Sequence, residues 1–129
     1  MEKLEAQYKT CVSVLNLCVV ADPLKSAAVG IVAPIEASLK KYIDDASAAD
    51  MMDLSQLCKD ARVIKGVFEE LKKAGMNAGF KSAEFLGAIT LVPEEWTSMN
   101  GLLTAAQKIK RKEIQAKYAP EVAKMYASL

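Results

Sequence analysis

The sequence predicts a small α+β domain: a mostly antiparallel three-stranded sheet with helices packed on it. Three observations carry that reading. Two apolar, β-branched runs, "VSVLNLCVVAD" and "SAAVGIVAPI", flank an Asp22-Pro23 turn signal, which is the pattern of an antiparallel hairpin. A third run, "SAEFLGAITLV", is closed by Pro93. Around these runs, apolar residues recur at helical spacing. The first two runs are apolar on both faces, so the sheet is expected to be covered.

The elements follow in order. Leu4, Tyr8 and Cys11 of "MEKLEAQYKTC" have helical spacing and predict a short first helix. After the hairpin, "PIEASLKKYIDD" is expected to start a helix at Pro34, because proline suits a first turn whose N–H groups have no partner. Ile35, Leu39 and Tyr42 mark its buried stripe, and Asp44-Asp45 ends it without further function. "ASAAD" is expected as a loop. Asp53 is placed to cap a helix holding Leu54 and Leu57. "DARVIKGVFEELKKAG" predicts a further helix, with Val63, Val67, Phe68 and Leu71 inward, Lys72 and Lys73 in its last turn and Gly75 at its C-cap. "PEEWTSMNG" is an irregular connection, in which Trp96 is expected to pack under the loop and Glu94-Glu95 to lie exposed. A final helix is expected from about Ala106, with Ile109, Ile114, Tyr118, Val122 and Tyr126 near one face and Pro120 interrupting it.

Composition bounds the function. The 129 residues are 52% hydrophobic and 26% charged, ordinary for one globular domain. A net charge of +1 gives no basis for a nucleic-acid partner. The charge is uneven, however. Residues 101–129 hold six basic and two acidic residues, a net of +4, against −3 for the first hundred. That asymmetry points to a local anion site or an anionic surface. Three cysteines (Cys11, Cys18, Cys58) form no CxxC pair, and there is no histidine. Buried, reduced thiols are expected, and neither a zinc knuckle nor a His-based nucleophile system can be built. No apolar run reaches the roughly 18 residues of a membrane span. The expected location is intracellular, cytoplasmic or peripheral on an organelle membrane.

Two stretches go further. "NGLLTAAQKIKRKEIQAKY" resembles the end of long-chain fatty acyl-CoA synthetases, where an Asn-Gly-Leu-Leu/Val-Thr turn precedes Lys-x-Lys-Arg and a helix. "EKLEAQYKTCVSVLNLCVVADPLKSAAVGIVAP" resembles the stretch after that family's inter-domain hinge, where Glu-Lys-Leu-Glu leads into a strand pair ending in proline. The likeness covers the chain in order and spacing. Between about Ser38 and Ser82 it is one of pattern more than wording.

The resemblance implies the small mobile C-terminal domain of an adenylate-forming ligase, here residues 1–129, acting with a large N-terminal domain that binds ATP and fatty acid. That large domain's Ser/Thr/Gly-rich phosphate loop is not in this sequence, and the hinge aspartate is expected upstream of Glu2. The implied reaction joins fatty acid and ATP into acyl-adenylate and pyrophosphate, then lets CoA displace AMP. ATP and CoA are the implied substrates, with Mg2+ held mainly by the large domain. Matching "TAAQKIKR" to the superfamily's T-x-x-G-K-x-x-R aligns Thr104, Gln107, Lys108 and Arg111, with Gln107 where many relatives carry glycine. Lys108 is thereby expected as the catalytic lysine of adenylation. Gly101 is expected to permit the turn that aims the loop, Thr104 to brace it by a local hydrogen bond, and Arg111 to position it or meet phosphate. The chain by itself is expected to make no acyl-CoA. Without the resemblance, Lys108 reads as a solvated lysine, and Lys110, Arg111 and Lys112 as a solvated face. Two other functions remain open from the residues: an interaction module docking by its basic last helix, or the same domain of a different adenylate-forming ligase.

Overall fold

A computed structural model describes residues 2–22, 24–25 and 27–129. Pro23 of the expected hairpin turn lies outside them, as do Met1 and Ser26. The first helix, α1, spans Glu2–Tyr8. Strands β1 (Val14–Val20) and β2 (Ala28–Pro34) follow and pair antiparallel. Three short helices come next: α2 (Glu36–Leu39), continued by a 3-10 turn at Lys40–Tyr42, α3 (Ala46–Met51) and α4 (Leu54–Lys59). The long α5 (Ala61–Asn77), β3 (Leu86–Leu91), α6 (Arg111–Lys117) and α7 (Ala119–Ala127) complete the chain.

The fold class is α+β, but the sheet is mixed. Its order is β1-β2-β3, and β3 runs parallel to β2, not antiparallel as expected. About fifty residues separate β2 from β3, and they carry α2 to α5. A connection of that length over one face returns the chain in the same direction, as parallel pairing requires.

The sheet is covered on both sides. On one face Val14, Leu17, Val19, Val32, Leu86 and Ile89 meet Tyr8 of α1 and Val63, Val67 and Leu71 of α5. On the other, Cys18, Val29, Ile31 and Ala33 meet Trp96, Leu102, Leu103, Ile114, Tyr118 and Met125. Alternate residues of one strand thus feed two cores, which is why the strands read as continuous apolar runs. Trp96 is buried under the connection, and its indole N–H donates to the Tyr118 hydroxyl at 3.4 Å. Among the described residues, no helix is long and apolar enough to cross a membrane.

Several boundaries differ from expectation for local physical reasons. Pro34 ends β2 opposite Val14 instead of opening a helix. The register shifts between Val14 and Asn16 at that point, and strand ends and bulges tolerate a residue without an N–H. "ASAAD" belongs to α3, because Asp45 caps it by accepting from the Ser47 and Ala48 amides. Asp53 caps α4 as expected, in a reciprocal box with Gln56. Gly75 lies inside α5 and not at its end. The stop is four residues later, where Gly79 has φ +72. There the Phe80 amide donates to the Gly75 carbonyl and the Gly79 amide to that of Met76, the paired bonds of a Schellman end. Lys72 and Lys73 therefore fall before the last turn. The final helix starts at Arg111, not near Ala106, and breaks at Tyr118 just before Pro120.

One polar cluster ties α5 to the sheet. Glu70 accepts hydrogen bonds from the Tyr42 hydroxyl, the Ser13 hydroxyl at 2.7 Å and the Lys41 ammonium at 3.2 Å. The Tyr42 ring fits because residue 66 is glycine: a Cβ there would lie 2.3 Å from Tyr42 Cδ1. Burial by itself would raise the Glu70 carboxyl, but Tyr42, Ser13 and Lys41 together hold it below the ordinary glutamate range. A carboxyl depressed on folding stabilises fully above its unfolded value and loses that contribution as pH falls through the folded one. Acid unfolding curves should therefore show stability declining below about pH 4.3, the unfolded glutamate value. Tyr42→Phe should flatten that decline, and an unchanged acid limb in Tyr42→Phe would show that the cluster does not stabilise the fold.

Candidate functional site

The residues expected to carry function lie between the irregular connection and α6. Asn100 begins the stretch by organising its own backbone. Its side-chain oxygen accepts from the Thr97 and Leu102 amides at 3.0 and 3.2 Å, and its amide group donates to the Glu95 carbonyl at 2.8 Å. Gly101 follows with φ +81 and open space where a Cβ would stand. A side chain would be strained there by backbone conformation and not by crowding.

The chain then makes a tight hairpin. Leu103 pairs antiparallel with Ile109, and the Lys110 amide donates to the Leu102 carbonyl at 2.8 Å. At the tip, the Gln107 amide donates to the Thr104 carbonyl at 2.9 Å, and the Thr104 amide to the Lys108 carbonyl at 2.7 Å. Gln107 has φ 66, the one non-glycine residue with positive φ among those described. This is a three-residue loop in which a turn is closed by a left-handed residue. Glycine adopts that conformation most readily; here glutamine takes it. The Thr104 hydroxyl accepts from the Lys108 amide at 3.1 Å, a local brace across the loop. Lys108 is exposed, and among the described residues its ammonium has no ion-pair or hydrogen-bond partner.

Arg111, the first residue of α6, faces the other way. Its two terminal nitrogens meet the two carboxylate oxygens of Glu5 at 2.7 and 2.6 Å. One of them also donates to the Val19 carbonyl at 2.8 Å. Glu5 is 5% exposed, and its Oε2 further accepts from the Val19 amide at 2.7 Å. Arg111 thus ties α6 to α1 and to β1. Arginine suits this place because its planar fork matches a carboxylate with two parallel bonds. Lys112 is exposed beside it and Lys110 half-buried, while Lys117 pairs with Glu94 at 2.8 Å.

A groove of about 480 Å³ runs along this region, bordered by Glu5, Lys9, Leu17, Gln107, Lys108 and Arg111. The fold therefore brings Thr104, Lys108 and Arg111 into one neighbourhood with Gly101 upstream. A concavity of about 540 Å³ elsewhere, beside Tyr42, Phe68 and Glu70, holds none of these residues. The thiols are poor nucleophiles: burial pushes Cys18 up to about 12 and Cys58 up to about 11, with nearby carboxylates adding to the shift. Cys11 is likewise pushed up to about 11, first by burial and then by Glu70. All three are free.

Glu5 was not among the residues singled out from the sequence. A signal was present: Glu5 stands beside Leu4 and three residues before Tyr8, on the inward side of a short amphipathic helix. A carboxylate placed there needs a cationic partner. The sequence does not say which cation supplies it.

The chain is similar to known proteins over nearly its whole length. Over 99% of its length the chain is 37% identical to long-chain-fatty-acid–CoA ligase 1 of Saccharomyces cerevisiae, covering 19% of that protein. It is 38% identical to the peroxisomal long chain acyl-CoA synthetase 7 of Arabidopsis thaliana, again over 99% of this chain and 18% of the relative. The chain thus spans about a fifth of the length of these curated relatives, at their C-terminal end. Among solved structures it superposes on the A domain of carboxylic acid reductase from Segniliparus rugosus, determined with AMP and a co-purified carboxylic acid. That match has a TM-score of 0.80 and 25% identity, over 98% of this chain and 18% of that one. No family model matches the chain.

The hairpin tip gives a direct test. A left-handed conformation costs a residue other than glycine roughly 1–2 kcal/mol, and glycine returns part of that as lost chain freedom. Gln107→Gly should leave the domain equally stable or raise its stability by up to about 1 kcal/mol in urea unfolding, whereas Gln107→Val should lower it. If glycine destabilises and valine does not, the tip does not hold the left-handed geometry.

Proposed function

We propose that this chain, which belongs to the long-chain fatty acyl-CoA synthetase family, is the small C-terminal domain of such a ligase and supplies Lys108 to the adenylation step. One observation carries the assignment of the lysine. The loop has a left-handed backbone at Gln107 and presents an exposed ammonium at Lys108, unpaired among the described residues, on a hairpin braced by Thr104. Gly101 sets the direction of entry, and Arg111 is assigned to positioning, not to phosphate, because its fork is engaged by Glu5.

In the proposed reaction a fatty-acid carboxylate oxygen bonds to the α-phosphorus of ATP, and the bond from that phosphorus to the pyrophosphate oxygen breaks. Two anions approach each other in this step. An ammonium bridging them offsets the repulsion: unit charges about 4 Å apart interact by roughly 4 kcal/mol at an effective dielectric near 20. Lysine's long stem and compact charge suit a group that enters with the domain and leaves with it. In the second step the CoA sulfur bonds to the acyl carbon and the bond to AMP breaks. For this step the domain is proposed to present another face, and Lys108 to be withdrawn. Among the described residues no group of three or more Asp, Glu, Cys or His side chains gathers as a metal site. The residues here do not fit the Mg2+ that accompanies ATP, and no step is assigned to it. The rest of the active site is proposed to lie in a large domain that binds ATP and fatty acid. The acyl pocket goes with it, so chain-length preference is set outside this chain.

The interaction-module reading is weaker on the geometry. Two basic residues of α6 are already engaged, Arg111 at its start by Glu5 and Lys117 at its end by Glu94. In the full-length ligase carrying this chain, Lys108→Ala should slow acyl-adenylate formation by at least about 10²–10³-fold, the usual cost of losing one preorganised donor. Thioester formation from supplied acyl-adenylate should suffer much less. Pyrophosphate exchange and a single-turnover thioester assay measure the two halves. Unchanged exchange in Lys108→Ala would remove the lysine from the mechanism.

A further inference from the structure

The lysine hairpin is short, and residues 104 to 108 at its tip are exposed. Its stem is anchored by buried Leu102 and Leu103 with Ile109 packed beside them. What couples it to the rest of the domain beyond that stem is the step from Lys108 into α6. Three residues beyond the lysine, Arg111 is clamped on both carboxylate oxygens of Glu5 at 2.6 and 2.7 Å. Glu5 is buried and belongs to α1, the helix at the other end of the sequence. The same pair also engages both backbone groups of Val19, the carboxylate taking the amide and the guanidinium giving to the carbonyl. Three elements, α1, β1 and α6, therefore meet at one ion pair, and this pair lines the groove that Lys108 and Gln107 border.

We propose that Glu5 is a positioning residue for Lys108, acting through Arg111, so that α1 and the lysine hairpin turn as one rigid body. This rests on the reading of Lys108 as the adenylation lysine. On that reading α1 follows the hinge between the two domains, and any rotation at the hinge reaches the ammonium through the clamp without being lost in loop motion. The Glu5 carboxylate is engaged by Arg111 and the Val19 amide. Its contribution is to the aim of the lysine, and so falls on the half-reaction that uses the lysine.

The test is a half-reaction split with a double mutant, in the full-length ligase carrying this chain. Glu5→Gln keeps the shape and an acceptor for the Val19 amide but removes the charge that holds the fork. Adenylation by Glu5→Gln should fall about tenfold or more in kcat, with KM for ATP and fatty acid within about twofold of the parent. Thioester formation from supplied acyl-adenylate should stay within about twofold. Combined with Lys108→Ala, the Glu5 change should add nothing, because it acts through a group already removed. Arg111→Lys, which keeps the charge and loses the fork, should reproduce the split and serves if Glu5→Gln does not fold; circular dichroism melting reports the folded fraction. Parallel loss of both halves, or independent and multiplicative losses in the double mutant, would reduce Glu5 to general stability and overturn the proposal. If Lys108→Ala slows adenylation and neither clamp variant does, only this inference fails. If Lys108→Ala itself leaves adenylation intact, the reading beneath it fails as well.

Discussion

One ion pair, with Glu5 buried and Arg111 partly buried, organises the molecule. Glu5 and Arg111 lie 106 positions apart and meet with two short, parallel hydrogen bonds where α1, β1 and α6 converge. Taking two charges out of water costs several kcal/mol per ion, and only close geometry with further hydrogen bonds offsets it. Here that condition is met: the carboxylate also accepts the Val19 amide and the guanidinium also reaches the Val19 carbonyl. Removing one partner of such a pair typically costs about 3–5 kcal/mol, because the other charge stays behind unpaired. A hydrophobic pair of similar volume could be as stable, but it would not specify which register α6 adopts against α1.

The two-faced sheet explains why so small a chain can hold an exposed lysine loop steady. Both faces of β1 and β2 are covered, one by α1 and α5, the other by the connection, α6 and α7. The hairpin that carries Lys108 is not an appendage to this core. Leu102 and Leu103 at one side of its base are buried in the second cluster, with Ile109 packed against it from the other side. The apolar stem fixes where the loop leaves the body, and the polar tip decides only its local path. Charge is divided in the same way: Arg111 points in and Lys108 points out, three residues apart.

Much of this was legible in the sequence, and what was not has physical causes. The α+β class, the antiparallel β1–β2 pair, the inward stripe of α5 and the cap at Asp53 are all local signals, and they were readable as such. The direction of β3 was not, because no residue within "LGAITL" encodes which neighbour it pairs with; the intervening helices decide it. Helix α3 was hidden because "ASAADM" has too few apolar residues to show a period, and its Asp45 cap looked like the end of the helix before. In the site, matching to T-x-x-G-K-x-x-R located the loop and gave Gln107 a glycine's place, but only the coordinates show the left-handed turn there. The partner of Arg111 was beyond reach for another reason: pairing across so long a separation depends on the whole fold and leaves no local trace.

The outer side of β1 has a consequence for how the domain comes into being. At Val19 this edge is sealed not by another strand but by two side chains, and one of them arrives with α6. A sheet edge with open amides and carbonyls is a template for wrong pairing. During synthesis the hairpin of β1 and β2 emerges before its seal, which waits for more than seventy further residues. Until then the nascent chain carries an unmatched carboxylate against a half-built sheet. Completion of this domain is thus tied to the arrival of α6, and truncation before Arg111 would leave a sticky edge instead of a smaller stable core.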